Sequence, residues 1–318
     1  MALTASSKLA LKRGALITTA NWQVVVLQFV ADALFSALLA VPVVGGAALV
    51  VLTSDLAPRD LFEQGIRRAV PAVAAALLAH PVALIAFLIA VGVALLGGSL
   101  FMAFVKGGTI AVLLDADATA GAIEHPPLRL DAVRRAGRFR LEAATSGAQR
   151  FFGRFARLGI GLFLAYAAIG GSALAWVVSE GAPDSAWDAA RIGGVTLAVI
   201  VAYTLVNLVY LLLQITVAVD DCDAAAAVPR TLAFIARTPL AIGLVFAAVS
   251  ALVALGTAAS FLATAALGLI AFVPFVGLAA LPLQVGAWMV RGLLFQFLGL
   301  TALVAYVRLY RGDPPDRG

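Results

Sequence analysis

Between Thr238 and Val290 the chain runs for 53 residues without an Asp, Glu, Lys or Arg. As one α-helix this stretch would extend about 80 Å, whereas the hydrocarbon core of a bilayer is about 30 Å thick. It must therefore cross, turn and cross back. Gly268, Pro274, Gly277 and Pro282 mark the expected turn, because proline removes a backbone donor and glycine permits sharp geometry. Spans at 239–264 and 284–309 follow. With 63% hydrophobic and 12% charged residues overall, a water-soluble fold is excluded. The runs do not alternate polar with apolar residues, which excludes a membrane β-barrel. The expected class is all-α: a polytopic helical membrane protein of about six transmembrane helices with interfacial amphipathic helices.

The other uncharged runs place the remaining spans. Gly14 to Thr53 is interrupted only by Asp32, is too long for a cleaved signal peptide, and gives a first span at 20–41 ending near Pro42. Runs at 69–105, 158–179 and 192–219 give spans at 83–105, 158–179 and 193–217, with Lys106 at the inner end of the second. The whole of 1–318 reads as a single integral membrane domain.

Basic residues orient it. With the N-terminus inside, only Arg59, Arg67, Arg68, Arg191 and Arg291 of the 22 Lys and Arg residues fall outside, leaving 17 in inner segments. The positive-inside rule then expects a multi-pass protein of the bacterial cytoplasmic (inner) membrane with both termini cytoplasmic. The formal charge of +5 accordingly reports orientation and contact with the anionic inner leaflet rather than nucleic acid, for which no soluble module exists.

Residues 129–157 carry eight arginines against Asp131 and Glu142, a net of +6. Leu130, Val133, Leu141, Ala144, Ala148, Phe151 and Phe155 recur at helical spacing, so the segment is expected to form one basic amphipathic elbow on the inner leaflet. Arg134, Arg135, Arg138, Arg140, Arg150 and Arg154 are its headgroup candidates. A shorter elbow is expected at Asp223–Arg237, and an outer interfacial helix between Asp60 and Pro71.

Two units have the order span, acidic turn, elbow, span, and their turns echo one another in Thr109–Ala118 and Ile215–Ala224. This sets an internal repeat of 82–179 against 192–264, with chance similarity in an Ala/Val-rich chain as the other reading. The acidic turn, alanine-rich elbow and following span from Asp221 to Ile242, with the Gly107-Gly108 to Asp117 exit from span two, resemble six-span bacterial proteins related to the membrane domain attached to some glycerophosphodiester phosphodiesterases. That resemblance implies an all-α inner-membrane protein. No soluble phosphodiesterase segment accompanies it, so hydrolysis is not expected here.

Polar residues inside the spans are the remaining candidates. Asn21, Gln28, Asp32 and Ser36 share a face of span one; Tyr203, Asn207, Tyr210 and Gln214 share one of span four. A carboxylate near mid-bilayer costs about 2.5–3.5 kcal/mol, so Asp32 calls for a partner such as Asn207. The two readings are a structural polar zipper and a proton or solute path. Small residues at four-residue steps (Ala86 to Gly98; Ala167, Gly171, Ala175; Gly243, Ala247, Ala251) are expected to pack helices. No catalytic constellation, metal site or cofactor motif is found: Cys222 is single, His80 and His125 stand apart, and Asp115, Asp117, Asp220, Asp221 and Asp223 read as helix-end residues.

The leading expectation is a non-enzymatic structural or partner-binding protein, contacting anionic lipid and a membrane-protein partner or further copies of itself. The alternative is a small-solute or proton-coupled transporter using the Asp32 stripe. A thiol introduced at Ser185 should react with an impermeant reagent added to intact cells while Cys222 stays protected. The reverse labelling pattern would invert the orientation.

Overall fold

The computed structural model describes residues 5–53, 79, 81–121, 123–124, 130–137, 139–180, 185–271 and 276–312. Among these residues there are helices and no strands. In chain order they are α1 (Ala5–Ala20), α2 (Trp22–Thr53), α3 (Pro81–Thr119), α4 (Leu130–Ala136), α5 (Leu141–Glu180), α6 (Ala186–Val219), α7 (Ala224–Arg237), α8 (Pro239–Ala271) and α9 (Val276–Gly312). Six of them, α2, α3, α5, α6, α8 and α9, are long and apolar enough to cross a membrane. The protein is an all-α polytopic membrane protein.

The first uncharged run is not one helix. It breaks at Asn21, whose side-chain amide donates to the Ile17 carbonyl at 2.9 Å and to the Ala136 carbonyl of α4 at 2.9 Å. An Asn side chain that competes for backbone acceptors favours such a turn over helix continuation. Residues before the break form the separate helix α1, which at 16 residues is about 24 Å long and too short to span. After the break, α2 continues through Pro42 to Thr53 rather than ending near the proline.

Several other expected boundaries move. The helix does not end at Lys106: α3 runs on to Thr119 and carries the lysine in its interior. The expected 129–157 elbow is two pieces: the short α4, then a turn, then α5, which carries residues 141–157 directly into the third span without a bend onto a surface. Gly268 lies inside α8 and Gly277 and Pro282 inside α9, while Pro274 lies outside the described residues. The Asp60–Pro71 helix, Arg138, His80 and His125 also lie outside them. The shorter elbow does form a separate helix, α7. Its Ala227, Thr231 and Phe234 are buried while Val228 and Leu232 are exposed.

The chain divides into two compact units, Val30–Ala103 and the remainder. In the former, α2 and α3 pack by aromatic-on-glycine contacts, Phe35 on Gly98 and Phe87 on Gly46. In the latter, the last part of α9 is the central pillar. Leu298, Leu300 to Val307, Leu309 and Tyr310 are almost all buried, the pattern of a helix enclosed on every side. It packs against α1, α8 and α6. Its approach to α1 depends on Gly14, where a β-carbon would strike the Thr301 carbonyl.

A second close crossing joins α3 to α5. Gly107 and Gly108 face Ala148 and Ala144, and Gly147 faces Ala111; a β-carbon on Gly108 would sit 2.6 Å from the Ala144 carbonyl oxygen. The small-residue stripes on α5 and α8 instead face outward, with Ala167, Gly171, Ala175, Gly243, Ala247 and Ala251 half-buried or exposed. Small residues permit approach but do not select a partner.

Gly108→Ala should therefore lower thermal stability in detergent by about 1–3 kcal/mol, the usual cost of overpacking. Gly171→Ala, with open space at the same atom, should change it by no more than about 0.5 kcal/mol. Equal effects would remove the α3–α5 crossing as a constraint.

Candidate functional site: a buried ion knot and its neighbouring acidic turn

α1 buries Ser7, Ala10, Arg13, Gly14, Ile17 and Thr18 at three- and four-residue steps. Arg13 thus lies on the inward stripe of its helix, with its side chain 7% exposed. A lone buried guanidinium would be strongly unfavourable, and the structure surrounds it with acceptors. Nε donates to Asp117 Oδ1 at 2.6 Å, and Nη1 donates to Glu124 Oε2 and to the Gly121 carbonyl, each at 2.6 Å. Nη2 donates to the Asp117 carbonyl at 2.7 Å.

The geometry serves the end of α3 twice. Its terminal carbonyls lack helical partners, and a cation there also opposes the negative end of the helix dipole. The chain then reverses at Gly121, whose φ of +63° is readily available to glycine, and this brings Glu124 back onto the same guanidinium. From α9, Arg311 reaches Asp117 Oδ2 at 2.6 Å and Arg308 approaches Glu124 Oε1 at 3.4 Å. Asp117 and Glu124 are 4% and 2% exposed, while Arg311 and Arg308 keep 35% and 49%. The knot is a buried core with two arginines extending toward solvent.

Burial alone would raise the Glu124 carboxyl. Its own backbone N–H, the Arg13 hydrogen bond and the charges of Arg13 and Arg308 outweigh that and hold it below the ordinary carboxylate range. A depressed folded-state value means that this stabilisation is present above the unfolded carboxyl's titration and is lost as pH falls through the folded one.

A second network occupies the turn between α6 and α7. Asp221, at φ +50°, receives Arg150 Nε at 3.2 Å and Nη2 at 2.6 Å, and Arg154 Nη1 at 2.5 Å. The hydrogen bonds from Arg150 and Arg154 hold its pKa down to about 2. Arg154 and Arg157 each lie 3.7 Å from Asp223. Asp220 accepts from Arg230 at 3.0 Å and from the Tyr310 hydroxyl at 2.7 Å. These acids tie α5, α7 and α9 to one turn.

The sequence-derived candidates separate into three groups. Asn21 and Gln28 are buried in the larger unit, Gln28 accepting from Thr109 at 3.3 Å, whereas Asp32 and Ser36 are exposed in the other unit. On α6, the Tyr203 hydroxyl donates to the Tyr166 carbonyl at 3.2 Å, and Lys106 lies over the Tyr210 ring at 5.2 Å. Gln214 is buried and Asn207 exposed, so neither stripe persists as one polar face. Of the headgroup candidates, Arg150 and Arg154 are engaged by Asp221, while Arg134, Arg135 and Arg140 are exposed.

In the sequence Arg13 is one of the 17 basic residues of the inner segments and Asp117 a helix-end residue, and nothing local connects them. The available signal was the phase of Arg13 with Ala10 and Ile17; the distance of 104 residues to its partner left no local trace. No family model, curated protein or solved structure matches the chain.

Arg13→Met should destabilise the protein by about 3–5 kcal/mol, because it strands buried carboxylates. The triple variant Arg13→Met/Asp117→Leu/Glu124→Leu should recover much of that loss. The wild type's advantage over Arg13→Met should shrink as pH falls through the acid range, because Glu124 in the variant, no longer held down by Arg13, takes up its proton at a higher pH than in the wild type. Thermal unfolding in detergent across pH measures all three; a pH-independent difference of under about 1 kcal/mol would show that the knot holds nothing together.

Proposed function

We propose that the protein is a non-enzymatic, multi-pass component of a bacterial cytoplasmic membrane, with both termini in the cytoplasm, acting as a structural or partner-binding element in contact with anionic lipid. The observation that carries this reading is the ion knot. It ties the first helix, the end of the second span and the end of the last helix through Arg13, Asp117, Glu124, Arg308 and Arg311. A buried ion network of this kind is costly to separate, which suits a rigid platform better than a carrier whose helices must part during each cycle.

The chemistry of the surface supports the lipid contact. Lys8, Lys12, Arg134, Arg135, Arg140, Arg230, Arg237, Arg308 and Arg311 are exposed, and such basic residues attract anionic headgroups. α7 adds exposed Val228 and Leu232 on either side of exposed Arg230, a composition suited to the membrane interface.

Mild solubilisation of the tagged full-length protein, followed by mass spectrometry of proteins and lipids, tests the proposal. A stoichiometric membrane-protein partner or additional copies of the chain, together with enrichment of anionic phospholipid, is the expected result. Proton-coupled flux in proteoliposomes that Asp32→Asn abolishes without loss of stability would replace this reading with a transporter.

A further inference from the structure

The expected elbow treated all of its arginines alike, but the structure divides them. Arg150, Arg154 and Arg157 approach Asp221 and Asp223 across the α5–α7 contact. Arg134 and Arg135 on α4 are exposed and, among the described residues, form no ion pair or hydrogen bond. Among the described residues Arg140 pairs with Glu142 alone, at 3.9 Å and between side chains that are 68% and 93% exposed, a separation and exposure at which an ion pair contributes little.

The position of α4 is fixed independently of its charge. The Ala136 carbonyl accepts from the Asn21 side chain at 2.9 Å, and a β-carbon on Gly137 would sit 2.7 Å from the Ala20 carbonyl oxygen. Ala132 and Ala136 are buried against the protein. The C-terminal end of α4 is therefore seated on the two residues that immediately precede the first span. That span opens with Trp22, which is 59% exposed; an exposed Trp at a span terminus favours the headgroup level. Asn21 thus breaks the chain where the span starts and also holds a basic helix beside that point.

We infer that Arg134 and Arg135 on α4 form the anionic-phospholipid contact of this protein, at the headgroup level marked by Trp22, and that Arg150 and Arg154 serve instead as internal ties. This inference rests on the reading that the end bearing the networks faces an anionic leaflet. The described outward residues of α4 are Asp131, Arg134 and Arg135, with Val133 half-buried, so the contact is electrostatic rather than insertive. It should weaken as salt screens it.

The full-length protein in a neutral detergent is titrated with fluorescent phosphatidylglycerol and with phosphatidylcholine, at low and high salt, and each variant is also melted. Arg134→Gln/Arg135→Gln should keep the melting temperature and lose phosphatidylglycerol affinity, by about fivefold per arginine and roughly 30-fold for the pair. Arg134→Lys/Arg135→Lys should retain that affinity. Arg150→Gln/Arg154→Gln should lower the melting temperature and leave affinity within about twofold of wild type, since exposed interactions outside the contact add little.

Loss of affinity in Arg150→Gln/Arg154→Gln but not in Arg134→Gln/Arg135→Gln would overturn the assignment to α4 while leaving the anionic-lipid reading intact. Equal, salt-independent binding of both lipids by the wild type would overturn the lipid reading itself. Loss of a co-purifying acidic protein from Arg134→Gln/Arg135→Gln, with lipid affinity unchanged, would assign the patch to that partner and overturn the lipid contact.

Discussion

A guanidinium driven into the protein must be matched there, and Arg13 organises the larger unit through that requirement. Four donor contacts, to two carboxylates and two carbonyls, leave little freedom in how the end of α3 and the following turn can be arranged. Asp117 must remain on the helix so that its carboxylate and its carbonyl both face the arginine. Glu124 must return through Gly121, and the last helix then supplies Arg308 and Arg311 to carboxylates already in place. Helices distant in sequence become one body through charge satisfaction as much as through apolar contact.

Apolar packing does the complementary work. In a bilayer, burying a leucine against protein differs little from leaving it in lipid, so close approach and polar satisfaction decide which helices associate. The described contacts follow that logic. The end of α9 is enclosed, α1 lies on it through Gly14, and α3 crosses α5 through Gly107, Gly108 and Gly147. Much of the outer length of α5, α6 and α8 presents Ile160, Phe163, Leu164, Leu197, Ile200, Leu255, Phe261 and Leu262 to the surroundings, as spans bathed in lipid can. A charge-tied end is thereby joined to apolar, outward-facing spans.

Charge pairing also changes what a basic segment can offer. An arginine run in a sequence looks like a uniform lipid-binding surface, because net charge is additive. In the folded chain, Arg150 and Arg154 are committed to Asp221, and their hydrogen bonds hold that carboxylate's pKa down to about 2. The difference between these arginines and Arg134 or Arg135 comes from a turn some 70 residues away, not from their own neighbours.

The six long apolar helices, the all-α class and the separate α7 were legible in the sequence, because hydrocarbon thickness and helical rise act on contiguous residues. The α7 pattern of Ala227, Thr231 and Phe234 recurs within a few residues and needs no distant partner to be recognised. Other features were decided only in three dimensions. Asn21 ends α1 where its amide also meets Ala136, α3 passes Lys106 and reaches Thr119 where Arg13 caps it, and residues 141–157 join the third span rather than lying beside it. Length and hydropathy are sums over neighbouring residues and can be read from the chain. Ion pairing, capping and close helix approach depend on groups that only folding brings within about 3 Å of each other, and those contacts determined where the helices stop and which charges remain free.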